Sequence, residues 1–171
     1  MTFSLLDVDC GSVVAPAGCG KTQLIANALA ENQSSKPILV LTHTNSGVAA
    51  LRGRLAAASV PAKRYRLVTI DGWALRLLRS FPSRGGMTIA ELSSGQLNYR
   101  RIRMAAATLI RAKHLDEIVR ASYDRLIVDE HQDCSILQHA LILEASRLLR
   151  TCILADEMQA IFGFGDDHLA P

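Results

Sequence analysis

The sequence has no apolar run that approaches a membrane-spanning length and no closely spaced pair of cysteines. Its cysteines are scattered, so a reduced chain explains them better than a disulfide or zinc framework: Cys10, Cys19, Cys134 and Cys152. The first residues, MTFSLLDVD, lack a basic start ahead of an apolar core, which argues against an export signal. We therefore expect a cytoplasmic protein with no membrane partner. Its 171 residues, of which 49% are hydrophobic, predict one globular domain over 1–171.

Internal repeats and low-complexity segments are also absent, but the charge is unevenly distributed. Residues 52–120 contain 14 Lys or Arg and 4 Asp or Glu, a net charge of +10, whereas the remainder of the chain carries −7. A basic middle between acidic flanks favours a polyanion as partner on one part of the surface. The alternative is that these arginines simply solvate helix faces.

The segment SVVAPAGCGKTQ, at 12–23, has the pattern of a phosphate-binding loop between a strand and a helix. Glycines allow its backbone N–H groups to point into one concavity, to which the helix N-terminus adds partial positive charge. We expect Lys21 to reach the β- and γ-phosphates of ATP and the Thr22 hydroxyl to bind Mg²⁺. The alternative is a glycine-rich turn with a chance Gly-Lys-Thr, and Ala15 replaces the first glycine of the strict pattern. The residues expected to hold the nucleotide here are Ala17, Gly18, Cys19, Gly20, Lys21, Thr22 and Gln23.

Apolar runs alternate with helical segments along the chain, which predicts a parallel α/β sheet flanked by helices. Between Phe81 and Ser122 the pattern is helical and basic, and we interpret 81–122 as a small helical insertion of one or two helices. The predicted strands are 13–15, 37–41, 65–70, 125–128 and 151–155. The predicted helices outside the insertion are 21–31, a helix capped by 42–46 that ends near 58, a helix through 73–78, and 137–149.

Two acidic residues, Asp129 and Glu130, directly follow the predicted strand at 125–128. Because the carboxyl ends of parallel strands line the ligand crevice, both carboxylates should face the phosphate loop. A nucleoside triphosphate site needs a carboxylate for the metal and a group that orients or deprotonates water. We assign Asp129 to Mg²⁺ and Glu130 to the water. Asp156 and Gln159 follow the last strand at the same end, where a neutral amide could sense the γ-phosphate.

Two aromatic residues, Phe162 and Phe164, lie just beyond this sensor segment with small residues between them. Aromatic rings at such a place could stack on the bases of a single strand. The alternative is that they belong to the hydrophobic core.

Five segments in order resemble the motifs of the first RecA-like domain of the UvrD/Rep group of superfamily 1 DNA helicases. They are APAGCGKT (15–22), LTHTNSGVAALRGRL (41–55), TIDGWALRLLR (69–79), VDEHQD (128–133) and ADEMQAIFGF (155–164), and together they cover about 150 residues. The resemblance implies a RecA-like P-loop NTPase fold with ATP and Mg²⁺ as cofactors.

The resemblance also implies a role for each matching residue. Catalysis would involve Lys21, Glu130 as base and Gln159, with Gln132 and Gln159 sensing the γ-phosphate. The expected contacts to single-stranded DNA are Thr42, His43, Thr44, Asn45, Trp73, Phe162 and Phe164. Departures from the family pattern include His43 in place of phenylalanine and Asp71 in place of histidine.

The resemblance implies an ATP-binding domain of a DNA helicase, which couples ATP hydrolysis to translocation on single-stranded DNA. In that family a second RecA-like domain supplies arginine fingers and half of the DNA track, and this sequence ends just after the sensor motif. We therefore expect a second RecA-like domain, in the same or another chain, as a partner. The alternative is a truncated nucleotide-binding interaction module that hydrolyses ATP only when a partner domain completes the site.

Overall fold

A parallel sheet between two helical layers forms the architecture of the protein, in a computed structural model that describes residues 3–16 and 18–156. The strands are β1 (Cys10–Val14), β2 (Ile38–Thr42), β3 (Tyr65–Thr69), β4 (Arg125–Val128) and β5 (Arg150–Ala155). They are all parallel, in the order β1-β5-β4-β2-β3. The predicted α/β class and RecA-like P-loop fold are thereby confirmed. All five strands end at the same edge of the sheet.

Seven α-helices lie within the described residues, and all but α4 and α6 have more than two turns. No helix in this part of the chain is long and apolar enough to cross a membrane. The helices are α1 (Lys21–Glu31), α2 (Asn45–Ala57), α3 (Ile70–Ser80), α4 (Ile89–Ser93), α5 (Tyr99–Arg111), α6 (Asp116–Ser122) and α7 (Ile136–Ser146). Short 3-10 turns occupy Leu5–Asp7, Ala62–Arg64 and His131–Asp133.

Strand β2 shows how the sheet is buried on both faces. All five of its residues are buried, as its continuous apolar sequence predicts for a central parallel strand. Because side chains alternate along a strand, Ile38 and Val40 join a core with α1 and α2. Leu39 and Leu41 join the larger core on the other face, with α3, α5 and α7. The sheet is therefore the rigid middle layer that holds the loops at its carboxyl edge.

Strand β1 begins at Cys10, three residues earlier than the apolar run at 13–15 indicates. Cys10, Gly11 and Ser12 pair with Thr151, Cys152 and Ile153 of β5, although all three residues are exposed. Backbone pairing at the end of the sheet needs no apolar side chain, so the hydrophobic pattern misses this part of the strand.

The predicted insertion, 81–122, contains helices α4, α5 and α6, and within this described range there is no strand. Helix α5 packs against both α3 and α7 and contributes Ile102, Leu109 and Ile110 to the larger core. Arg103 of α5 also donates to both carboxylate oxygens of Asp71 in α3, at 2.7 and 2.8 Å. The segment is therefore packed into the domain rather than appended to its surface.

We expect Leu109→Ala to lower the free energy of unfolding of the whole domain by about 3 kcal/mol, because it opens a cavity in the shared core. Leu109 is only 1% exposed. The matched control is Met104→Ala on the same helix, whose side chain is 52% exposed and whose loss should cost less than about 1 kcal/mol. Urea unfolding followed by circular dichroism measures both. A separate transition for the helical segment, or equal effects of the two variants, would contradict this integration.

Candidate nucleotide site at the carboxyl edge of the sheet

The loop after β1 turns through two glycines and leads directly into α1. Gly18 and Gly20 have φ values of +82° and +81°, in the left-handed region that favours glycine. Nothing lies within 4 Å of a Cβ at either position, so the backbone conformation and not crowding requires glycine there. Gly20 is the N-cap of α1, and no side chain of the described residues caps that helix end. The first N–H groups of α1 are thus left to a ligand such as phosphate.

Lys21 lies at the first position of α1 and folds back across the loop. Its ammonium donates to the Ala15 carbonyl at 2.9 Å and lies 3.4 Å from the Asp156 carboxylate. Lys21 is 7% exposed and Asp156 is 1% exposed. A buried ammonium needs such partners, and here they come from the carboxyl ends of β1 and β5, which are adjacent strands. The sheet therefore positions the lysine that the sequence predicted to bind phosphate.

Asp129 and Glu130 follow β4, the next strand in the sheet, as expected. The Asp129 N–H donates to the Leu41 carbonyl at 2.8 Å, which continues the pairing between β4 and β2. Burial and the neighbouring Glu130 carboxylate raise the pKa of Asp129 to about 6, although Lys21 and Arg54 oppose that shift. The two carboxylates thus form a negative centre whose charge is incompletely balanced by the protein.

Glu130 has a left-handed backbone, with φ of +52° and ψ of +49°. This conformation is unusual for a residue with a side chain and costs roughly 1–2 kcal/mol. It turns the chain from β4 into the 3-10 turn at His131–Asp133 and leaves Glu130 on the lining of a cleft beside the phosphate loop.

Gln132 is buried and connects the two acidic strand ends. Its amide nitrogen donates to the Glu130 carboxylate at 2.7 Å, and its amide oxygen accepts from the Asp156 N–H at 2.9 Å. Both contacts agree with a single orientation of the amide. Gln132 is not among the described residues that line the cleft, so its present contacts position Glu130.

The cleft itself has a volume of about 700 Å³ and lies between α1, α2 and Glu130. Four of its residues were not predicted from the sequence: Ala26, Arg54, Ala57 and Ala58. Arg54 of α2 is the charged one among them, and its guanidinium donates to the Thr22 hydroxyl at 2.6 Å. The only sign of Arg54 in the sequence is its position beside the buried Leu55. Many surface helices have a basic residue next to a buried one. The described lining residues are Gly18, Gly20, Lys21, Thr22, Gln23, Ala26, Arg54, Ala57, Ala58 and Glu130.

Thr22 and Asp129 fit a magnesium site as far as the protein supplies ligands. Mg²⁺ is bound by oxygen atoms, commonly one or two carboxylates together with substrate phosphates and water. Within residues 3–16 and 18–156, no three His, Cys, Asp or Glu side chains form a cluster that could hold a metal ion. One hydroxyl and one carboxylate therefore match a metal that is held mainly by a nucleotide.

The segment predicted to contact DNA follows β2 at the same edge. The Thr44 hydroxyl accepts from the Gly47 N–H and so caps α2, His43 lies 3.8 Å from the Asp133 carboxylate, and Asn45 is exposed. Thr42 is 1% exposed, and its hydroxyl would lie 2.7 Å from a Cβ at residue 47. Its hydroxyl is therefore turned into the protein.

Trp73 does not lie where a DNA contact requires it. It is 1% exposed and packs in the larger core with Ile70 and Leu78 of α3, so its ring is not available to a base. We expected Trp73 to contact single-stranded DNA, and its burial contradicts that expectation. The apolar character of α3 explains the difference, since the first turns of this helix face the sheet. Four other predicted site residues lie outside the described residues: Ala17, Gln159, Phe162 and Phe164.

We expect Asp129→Asn to stabilise the nucleotide-free protein at about pH 7.5 by roughly 2 kcal/mol. Because its pKa is raised, neutral Asp129 adds to the free energy of unfolding below about pH 4. This contribution is lost as the pH rises through about 6. Asparagine has no ionisation to undergo. Thermal unfolding in metal-free buffer should show a melting temperature higher by about 5 °C, and this difference should vanish near pH 4.

The control for this measurement is Glu117→Gln, which neutralises an exposed carboxylate on α6. Its melting temperature should follow the wild-type curve at every pH. A gain for Asp129→Asn that did not change with pH would contradict the electrostatic explanation.

Comparison with known protein families agrees with this arrangement of loop, lysine and carboxylates. A family model described as an AAA domain matches residues 3–165, and no curated protein matches the chain. Such a domain is found in UvrD/Rep-like helicases, and the match indicates an ATP-binding, helicase-like domain with nucleotide-hydrolysing activity in general. The chain therefore belongs to the family of these AAA domains, among the P-loop helicase-like proteins.

Proposed function

We propose that this domain is the ATP-binding half of a UvrD-like motor that couples ATP hydrolysis to translocation on single-stranded DNA. The observation that carries the proposal is the buried Lys21 ammonium, held between two strand ends beside a glycine loop and a pair of carboxylates. A cation held in this way offers its charge to an incoming phosphate group. The first N–H groups of α1, which no described side chain caps, point to the same class of ligand.

In the proposed reaction the residues of the nucleotide site have separate roles. Lys21 moves its contact from the Asp156 carboxylate to the β- and γ-phosphates of ATP. Thr22 and Asp129 would hold Mg²⁺, which would neutralise charge on the phosphates. Glu130 orients the attacking water and accepts its proton, and the Gln132 amide keeps that carboxylate in place. Gln159, the predicted sensor, completes the set in this proposal.

The DNA track is proposed to begin at the segment between β2 and α2. A second cleft, of about 420 Å³, is lined in part by His43, Thr44 and Asn45. Tyr99, which is 45% exposed, also lines this cleft and offers a ring for base stacking. The net charge of +10 over 52–120 supports attraction of the phosphate backbone. Phe162 and Phe164 remain proposed base contacts.

A second candidate function follows from the scarcity of arginine at the site. Among the described residues lining the nucleotide cleft the only arginine is Arg54, which is bonded to Thr22. An additional arginine supplied by a second RecA-like domain typically contributes on the order of 10³–10⁵ in rate to phosphoryl transfer. By itself the domain would then be a nucleotide-binding module that hydrolyses ATP only with a partner domain.

We expect Lys21→Ala to weaken ATP·Mg²⁺ binding by at least about tenfold, because a charge-assisted phosphate contact is lost. Fluorescence titration with a labelled ATP analogue measures the affinity. The matched control is Lys63→Ala, which removes an exposed lysine from a 3-10 turn and should leave the affinity unchanged.

Steady-state ATPase assays with and without single-stranded DNA then separate the two candidates. DNA-stimulated turnover that is lost in Lys21→Ala supports the motor, and binding without turnover supports the module that needs a partner. Failure of the wild-type chain to bind ATP would contradict both.

A further inference from the structure

Arg54 lines the nucleotide cleft but belongs neither to the phosphate loop nor to the acidic ends of the strands. It lies near the end of α2, and its Nη1 atom donates to the Thr22 Oγ1 atom at 2.6 Å, across 32 residues of sequence. Its charge also acts on Asp129. Thr22 and Asp129 are the two residues of this chain that suit a magnesium ion. The guanidinium is therefore bonded to one expected ligand of the cation, and its charge acts on the other.

A guanidinium and a divalent cation compete at such a place. The Thr22 hydroxyl oxygen has two lone pairs, and one of them already accepts from Arg54. Two cations that share one small oxygen repel each other, and both would be attracted to the same Asp129 carboxylate. Binding of Mg²⁺ to Thr22 is therefore expected to require that the Arg54 side chain move.

We propose that Arg54 is the resident counter-cation of the nucleotide site, which supports nucleotide binding without metal and must be displaced when Mg²⁺ binds. In the metal-free complex its guanidinium fork lies beside Thr22 and contacts the triphosphate oxygens, a geometry that arginine favours. In the magnesium complex Thr22 and Asp129 would hold the metal, and the Arg54 guanidinium would leave Thr22. The inference rests on the proposed function, in that the cleft is taken to bind a nucleoside triphosphate.

The alternative is that Arg54 only joins α2 to α1. A contact of that kind would change the stability of the domain and leave the metal dependence of nucleotide binding unaltered. The informative quantity is therefore the ratio of two dissociation constants for one protein, measured in excess EDTA and in saturating MgCl₂. Effects on folding or on general affinity cancel in this ratio.

The experiment compares wild type, Arg54→Ala and Arg54→Gln by titration with a fluorescent ATP analogue under the two conditions. We expect the ratio of the metal-free to the magnesium dissociation constant to rise by about tenfold or more in Arg54→Ala. The rise should come from weaker metal-free binding, with magnesium binding unchanged or tighter. Arg54→Gln keeps a donor toward Thr22 but removes the charge, and it decides the question if Arg54→Ala does not fold.

The matched control is Arg52→Ala, which removes the same charge from the same helix. Arg52 is exposed and lies two positions away, so its side chain points to a different side of α2. Its ratio should stay within about twofold of wild type, because Arg52 is not among the described lining residues and an exposed charge outside the cleft is screened.

An unchanged ratio in the Arg54 variants, in a wild-type protein that binds nucleotide, would overturn the counter-cation role and leave the proposed function intact. Equal weakening of binding under both conditions would overturn it too, since Arg54 would then bind phosphate whether or not metal is present. A wild-type chain that binds no nucleotide under either condition would overturn the proposed function as well.

Discussion

The requirement to pair one buried ammonium group organises the carboxyl edge of this domain. Lys21 is nearly inaccessible, and a buried charge without partners would cost several kcal/mol. Its partners are a carbonyl at the end of β1 and a carboxylate at the end of β5, so the pair depends on those strands being neighbours. In turn the end of β1 gains a contact with the Lys21 side chain. The residues of β1 itself are largely exposed and provide few contacts of their own.

The charges around Lys21 leave an excess of negative charge at the site. This excess suits an anionic ligand that brings its own cation. Asp156 is compensated by Lys21, whereas Asp129 lies beside Glu130, and its pKa is raised because burial and that neighbour disfavour its charge. Arg54 offsets part of this excess from the other side of the cleft. A site of this kind holds its carboxylates ready at some cost in stability, which a bound divalent ion would relieve.

Most of the architecture could be predicted because it follows from runs of apolar residues. The central strands β2 and β4 are buried on both faces and read as continuous hydrophobic segments, so their positions and their polar ends were evident. The glycine loop was equally evident, since the φ values of Gly18 and Gly20 require that residue. The order of strands in the sheet left no local trace, because it is decided by how the crossing helices pack.

The errors concern side-chain direction and contacts between distant parts of the chain. Trp73 was placed on DNA by its position after the third strand, but the helix it belongs to turns that position toward the core. Arg54 was missed because its partner, Thr22, lies 32 residues away, and helix α2 has almost no difference in polarity between its faces. Sequence patterns describe which residues are buried better than they describe which polar groups meet.

The left-handed backbone of Glu130 has a consequence for how this sequence can change. A glycine at that position would relieve roughly 1 kcal/mol of backbone strain and remove one of two adjacent carboxylates. A screen that selected variants for heat resistance alone would therefore be expected to recover substitutions there. Because we propose that Glu130 orients the attacking water, the same substitutions would be lost under selection for turnover. On that proposal, residue 130 is a place where the two kinds of selection oppose each other.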